Sequence, residues 1–62
     1  SEPDALENAL TAWQQFSTRH RLNEIDDEIK EADVAGDYER VYELQAEQKK
    51  LRYLLGRDVP LY

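Results

Sequence analysis

The stretch Glu31-Ala32-Asp33-Val34-Ala35-Gly36-Asp37-Tyr38-Glu39-Arg40-Val41 decides how this chain folds. Gly36 is the usual residue for the left-handed conformation that closes a helix. Asp37 is the kind of residue that opens one, because its carboxylate accepts from the unpaired amides of a first turn. Upstream, Ile25, Ile29 and Ala32 step by four and three. Downstream, Val41, Leu44, Gln48, Leu51 and Leu55 step by three, four, three and four. A helical stripe, a stop, a start and a second helical stripe predict two helices closed on their apolar faces. The fold class is therefore all-α, an antiparallel helical hairpin.

The first helix is expected over about residues 4–35. Asp4 and Glu7 have the spacing of a capping box, with Asp in place of Ser or Thr. Ser1 as cap with Pro3 in the first turn is the alternative start. No Gly or Pro interrupts from there to Ala35. The second, shorter helix is expected over about residues 38–55. Asp37, Glu39 and Glu43 lead it, and Lys49, Lys50 and Arg52 trail, in keeping with the helix dipole. Gly56 is expected to stop it and Pro60 to prevent a restart. The tail from Arg57 is expected to be irregular, with Leu61 and Tyr62 able to fold back.

Outward from the turn, the first helix changes face. Leu6, Leu10, Trp13, Phe16 and His20 make one ladder; Leu22, Ile25, Ile29 and Ala32 make another. At about 100° per residue the two are centred more than about 100° apart. Either the helix bends near Ser17–Thr18, or it stays straight and its halves face different partners; the second is preferred. The Leu6–Phe16 face then wants another domain, another chain, or the tail.

Sixty-two residues make at most one domain. A chain this short is marginally stable alone, so a piece of a larger protein or a self-associating module is expected. Without cysteine there is no disulfide and no thiolate metal site, which fits a cytoplasmic location. A net charge of −6 argues against direct nucleic-acid binding, which needs a basic footprint. No apolar run approaches the ~18 residues of a membrane span, and the basic-then-apolar pattern of a signal peptide is absent. The charge is uneven: residues 1–36 carry nine acids and three bases, residues 37–62 five of each.

Nothing in the chain reads as chemistry. Glu24, Asp27, Glu28 and Glu31 share one helical row, better read as a solvated face than a metal site. No glycine-turned loop wraps them for calcium and no second histidine joins them for a transition metal. His20 has no partner base or nucleophile, so a partly buried or interfacial role is expected. The Arg19-His20-Arg21 cluster is read as a plain surface feature, or a spot for an acidic partner. Gln48, polar within an apolar stripe, either fixes register or lies at the seam's edge. No catalytic residue, cofactor or metal is expected.

The expected core is Ile25, Ile29, Val41, Leu44, Leu51 and Leu55. Tyr42 and Tyr53 do not belong to it. With Ala46 between them they form a second stripe more than about 100° away, and Tyr38 stands at the turn. Tyrosines on a rigid element are frequent interface anchors. Tyr38, Tyr42, Tyr53, Trp13 and Phe16 are therefore the candidate partner-binding residues, the tyrosines weighed evenly against covering the hairpin's own edge or packing under the tail, Trp13 and Phe16 against core of a longer protein.

The segment from Glu31 to Tyr38, followed by Leu44, Glu47, Leu51, Arg52, Leu54 and Leu55, resembles the end of bacterial DNA primase. There a long helix, a short Gly-Asp or Lys-Asp turn with an aromatic after it, and a short amphipathic helix form the hairpin that docks on the replicative helicase. The resemblance covers about Leu22 to Leu55 and implies that Tyr38, Tyr42 and the outward side of the second helix are docking candidates. Asp37, Tyr38, Glu39 and Leu44 also look like the UVR-type hairpin motif of nucleotide-excision-repair proteins and some protease-chaperone ATPases. There Asp-Phe-Glu is followed by paired alanines and Leu-Arg-Asp; here Val41-Tyr42 and Gln45-Ala46 stand instead. Both resemblances imply a non-catalytic adaptor hairpin. The expected function is a protein–protein interaction module of DNA replication that docks a primase onto its helicase. The rival is a self-assembling helical element, possible as a homodimer burying Leu6, Trp13 and Phe16.

Overall fold

In the computed structural model the backbone is described for residues 2–58 and the side chains for residues 6–56. Two helices, α1 (Glu2–Val34) and α2 (Tyr38–Asp58), pack against each other as an antiparallel hairpin. α1 begins two residues before Asp4, and the capping side chains considered there (Ser1, Pro3, Asp4) lie outside the described residues, as do Leu61 and Tyr62.

The turn is closed from both sides. Gly36 has φ of 73°, the only positive φ among the described residues. Its amide donates to the Asp33 carbonyl at 3.0 Å, and the Asp37 amide donates to the Ala32 carbonyl at 2.9 Å. This pair of bonds is the Schellman closure, which satisfies carbonyls that the end of α1 would otherwise leave open. Asp37 then serves α2. Its carbonyl accepts the first intrahelical bond from the Val41 amide at 3.1 Å. Its Oδ1 accepts from the Arg40 amide at 3.2 Å, the N-cap arrangement.

The other glycine behaves differently from expectation. Gly56 does not end α2, which continues to Asp58. Gly acts as a helix stop when its φ turns positive, and Gly56 does not adopt that conformation. Within a helix its cost is only about 1 kcal/mol, and Leu54 and Leu55 just before it are partly buried.

Packing is concentrated in one short seam. Ile25 and Leu44 are fully buried, with Ala32 nearly so. Ile29, Val41 and Leu51 are partly buried and pack on these three. Leu55 is also partly buried, at the far end of the seam. Burying one such aliphatic side chain is worth about 1.5–3 kcal/mol, so Ile25 and Leu44 dominate the cohesion. Ala32, four residues before Gly36, is the core residue beside the turn.

The two helices differ in length. At about 1.5 Å rise per residue, α1 is about 50 Å long and α2 about 32 Å. The molecule measures 52 × 19 × 15 Å. Its radius of gyration is 15.1 Å, against about 11 Å for a compact chain of this length. α1 runs without a break through Ser17 and Thr18, and the Thr18 hydroxyl donates to the Gln14 carbonyl one turn back at 2.9 Å. The two ladders of α1 therefore lie on one continuous rod and point in different directions. The N-terminal part of that rod projects beyond α2 by about 18 Å.

Candidate protein-interaction surfaces

One ion-pair network and one side-chain hydrogen bond cross the apolar seam and hold the hairpin in register. On one edge, Arg21 Nε donates to Glu47 Oε2 at 2.8 Å and Nη2 donates to Oε1 at 3.0 Å. Its Nη1 donates to Glu28 Oε2 at 2.6 Å. Glu28 Oε1 in turn accepts from Arg40 Nη2 at 3.3 Å, and Arg40 lies 3.6 Å from Glu43. On another part of the seam, Gln48 Nε2 donates to Asp26 Oδ1 at 2.9 Å. Gln48 is partly buried, so it lies at the seam's edge and ties α2 to α1.

This network changes the reading of two residue groups. Glu28 is not part of a row pointing to water: it is partly buried and shared between Arg21 and Arg40. Asp27 and Glu31 do face solvent. Arg21 leaves the basic spot formed with Arg19 and His20 and turns into the seam. The signal was present in the spacing, since Arg21 and Glu28 are two helical turns apart on one edge. What the sequence alone did not provide was the partner on the other helix, Glu47. The Glu47 hydrogen bonds hold the Arg21 guanidinium above its usual range. The same contact lowers the Glu47 carboxylate from its ordinary 4.5.

The outward faces carry the large apolar side chains. Tyr42 and Tyr53 are 71 % and 69 % exposed. Eleven residues separate them, so they fall within about 20° of one line along α2, turned well away from buried Leu44. Ala46 and Lys49 lie between them on the same line and are also exposed. Tyr38 is exposed at the first residue of α2, and Val34, the last residue of α1, is 89 % exposed close by in sequence. Val34 belongs to neither apolar ladder, and it adds a hydrophobic contact point beside the turn that the helical stripes did not mark.

The second surface is on the N-terminal half of α1 and runs onto its projecting end. Leu6, Leu10, Trp13 and Phe16 are all more than half exposed. Phe16 stacks on His20, with ring centroids 6.3 Å apart and planes 10° from parallel. His20 is itself exposed, so it extends the row into solvent rather than into a core.

Among the described residues there is no pocket and no group of His, Cys, Asp and Glu placed to hold a metal ion. No described helix is long and apolar enough to cross a membrane. The fold and its surfaces define a two-helix α-hairpin, cross-tied by arginine–carboxylate pairs and apolar on two outward faces. Comparison with protein-family models, curated proteins and solved structures finds no match to this chain.

Proposed function

We propose that this hairpin is a non-catalytic protein-docking module, with the back of α2 as its contact face. The observation that carries the reading is the pair Tyr42 and Tyr53, both about 70 % exposed on one line of α2 while the opposite side of that helix is committed to the core. A tyrosine ring offers large amphipathic contact area with few rotatable bonds, so ordering it on binding costs little. Mounting two on a helix braced by Leu44 and the Arg21–Glu47 pair keeps their spacing fixed before any partner arrives. Tyr38 extends the same face to the turn.

The primase-like features of the turn and of α2 suggest the partner, a replicative helicase. On this reading the hairpin tethers a larger enzyme, and the chemistry belongs elsewhere in that enzyme. Isothermal titration of the chain into purified replicative helicase tests it. Binding that weakens by about tenfold or more on Tyr42→Ala or Tyr53→Ala, without change in helical content, is the expected result. No heat at high micromolar concentration excludes the helicase as partner.

A further inference from the structure

The tyrosine face leaves the row on the N-terminal half of α1 unexplained, and that row differs in kind. Residues 8–18, Asn8 to Thr18, contain no charged side chain, although 35 % of the whole chain is charged. Leu10, Trp13 and Phe16 stand within this stretch, with Leu6 just before it, and all are more than half exposed. Depletion of charge around exposed aromatics is the compositional mark of an interface centre. A solvated helix face would instead be laced with Lys and Glu, as residues 24–33 and 39–50 are here.

The ends of the stretch carry opposite signs. Acidic Glu2, Asp4 and Glu7 precede it; Arg19, His20 and Arg21 follow it. Such a segment is complementary to itself when two copies run antiparallel, because the acidic end of each then lies beside the basic end of the other. Arg21 is already engaged by Glu47 and Glu28. Arg19 is exposed and has no ion-pair partner among the described residues. The local balance also favours association: residues 1–21 hold three acids and two bases, so most of the −6 net charge sits away from this end.

Size decides between a stray patch and an interface. The four side chains expose on the order of 500 Å² in one copy, so a pair holds at most about 1,000 Å² of this surface to bury, the lower limit of a specific interface. The projecting segment is also only about a dozen residues, a length at which an unsupported helix is marginal in water.

We propose that the N-terminal half of α1 pairs antiparallel with the same segment of a second copy, with Leu10 and Trp13 crossing near the two-fold axis. The heptad-like steps from Leu6 through Leu10, Trp13 and Ser17 to His20 keep one face on the seam. Leu6 of one copy then lies near Ser17 of the other, and Phe16 covers the flank. The pairing is independent of the docking role of α2, whose tyrosines remain open on both hairpins of the dimer.

Sedimentation velocity over a wide concentration range tests the proposal on the whole chain. The expected mass rises to twice the 7.3 kDa of one chain. Trp13→Glu is expected to hold the protein at one chain at every concentration with its helical signal kept, because Trp13 lies outside the hairpin core. Tyr42→Glu should leave the dimer intact. Orientation is read by mixing Leu6→Cys with Ser17→Cys under mild oxidation, which should form the mixed disulfide in preference to the Leu6→Cys homodimer. A single-chain mass up to millimolar concentration overturns the pairing, as does a dimer unaffected by Trp13→Glu. Preferential Leu6→Cys homodimers overturn the antiparallel arrangement. None of these outcomes depends on helicase binding.

Discussion

The Arg21 guanidinium grips the Glu47 carboxylate through two hydrogen bonds, 2.8 and 3.0 Å long, across the interface between α1 and α2. Two parallel bonds fix the plane of both groups, so this contact sets the lateral position of one helix on the other in a way a single ion pair does not. Replacing Arg21 with Lys keeps the charge and loses the fork. Arg21→Lys is therefore expected to lower the melting temperature almost as much as Arg21→Ala, in contrast to the mild effect of swapping exposed surface cations. A double-mutant cycle with Glu47→Gln should show the two substitutions to be strongly non-additive.

The same pair gives the hairpin an acid limit. Glu47 titrates below its ordinary 4.5 because Arg21 stabilises the charged form. A carboxylate with a depressed folded-state value contributes its full stability above the unfolded value and loses it as pH falls through the folded one. Thermal melts followed by circular dichroism should therefore be flat in this contribution from neutrality to about pH 4.5 and decline below it. Glu47→Gln should start lower at neutral pH and show a shallower acid decline.

Core substitutions should separate sharply from surface ones. Leu44→Ala removes a fully buried side chain, a change that costs about 2–5 kcal/mol. For a two-helix chain of marginal stability that is enough to abolish cooperative unfolding. Ile25→Ala should do the same. Tyr42→Ala and Tyr53→Ala, at exposed positions, should stay within about 0.5 kcal/mol of the parent, measured by urea titration. Their effect belongs to binding.

The two glycines should respond in opposite directions to the same change. Neither has any atom within 4 Å of where a Cβ would sit, so backbone conformation alone decides. Gly36→Ala forces an L-residue into the left-handed region at a cost of about 1–2 kcal/mol. Gly56→Ala, in the body of α2, should stabilise by about 0.5–1 kcal/mol. Melting temperatures of the two variants, recorded side by side, test this.

How much of this was legible before any coordinates follows from the kind of signal each residue carries. Gly36 and Asp37 announce both the stop and the start, because backbone chirality and capping are local effects. The stripes around Ile25 and Leu44 fix which faces meet, because periodicity is also local. Gly56 misleads for the same reason: the residue type says stop, yet its φ is not positive and α2 continues to Asp58. Arg21 could be placed on an edge near Glu24, which it does approach at 3.8 Å, but its two-bond contact with Glu47 depends on the relative rotation of two helices. Glu28 read as a solvated acid until Arg40 from the other helix was placed beside it. Among the candidate contact residues, periodicity separated Tyr42 and Tyr53 from the core face, whereas Val34 belongs to no stripe and its exposure depends on where the turn begins.

Asp37 belongs to both helices at once: its amide donates the closing bond of α1, and its carbonyl and carboxylate accept the first bonds of α2. The turn consequently has no slack, and it works as a phase lock. One residue inserted after Gly36 and taken up in helical geometry would rotate all of α2 by about 100° relative to α1. Leu44 would swing out of the seam, and neither Glu47 nor Gln48 would meet its partner. Away from the turn the helices can change in length residue by residue, but the tip tolerates change only in whole helical turns.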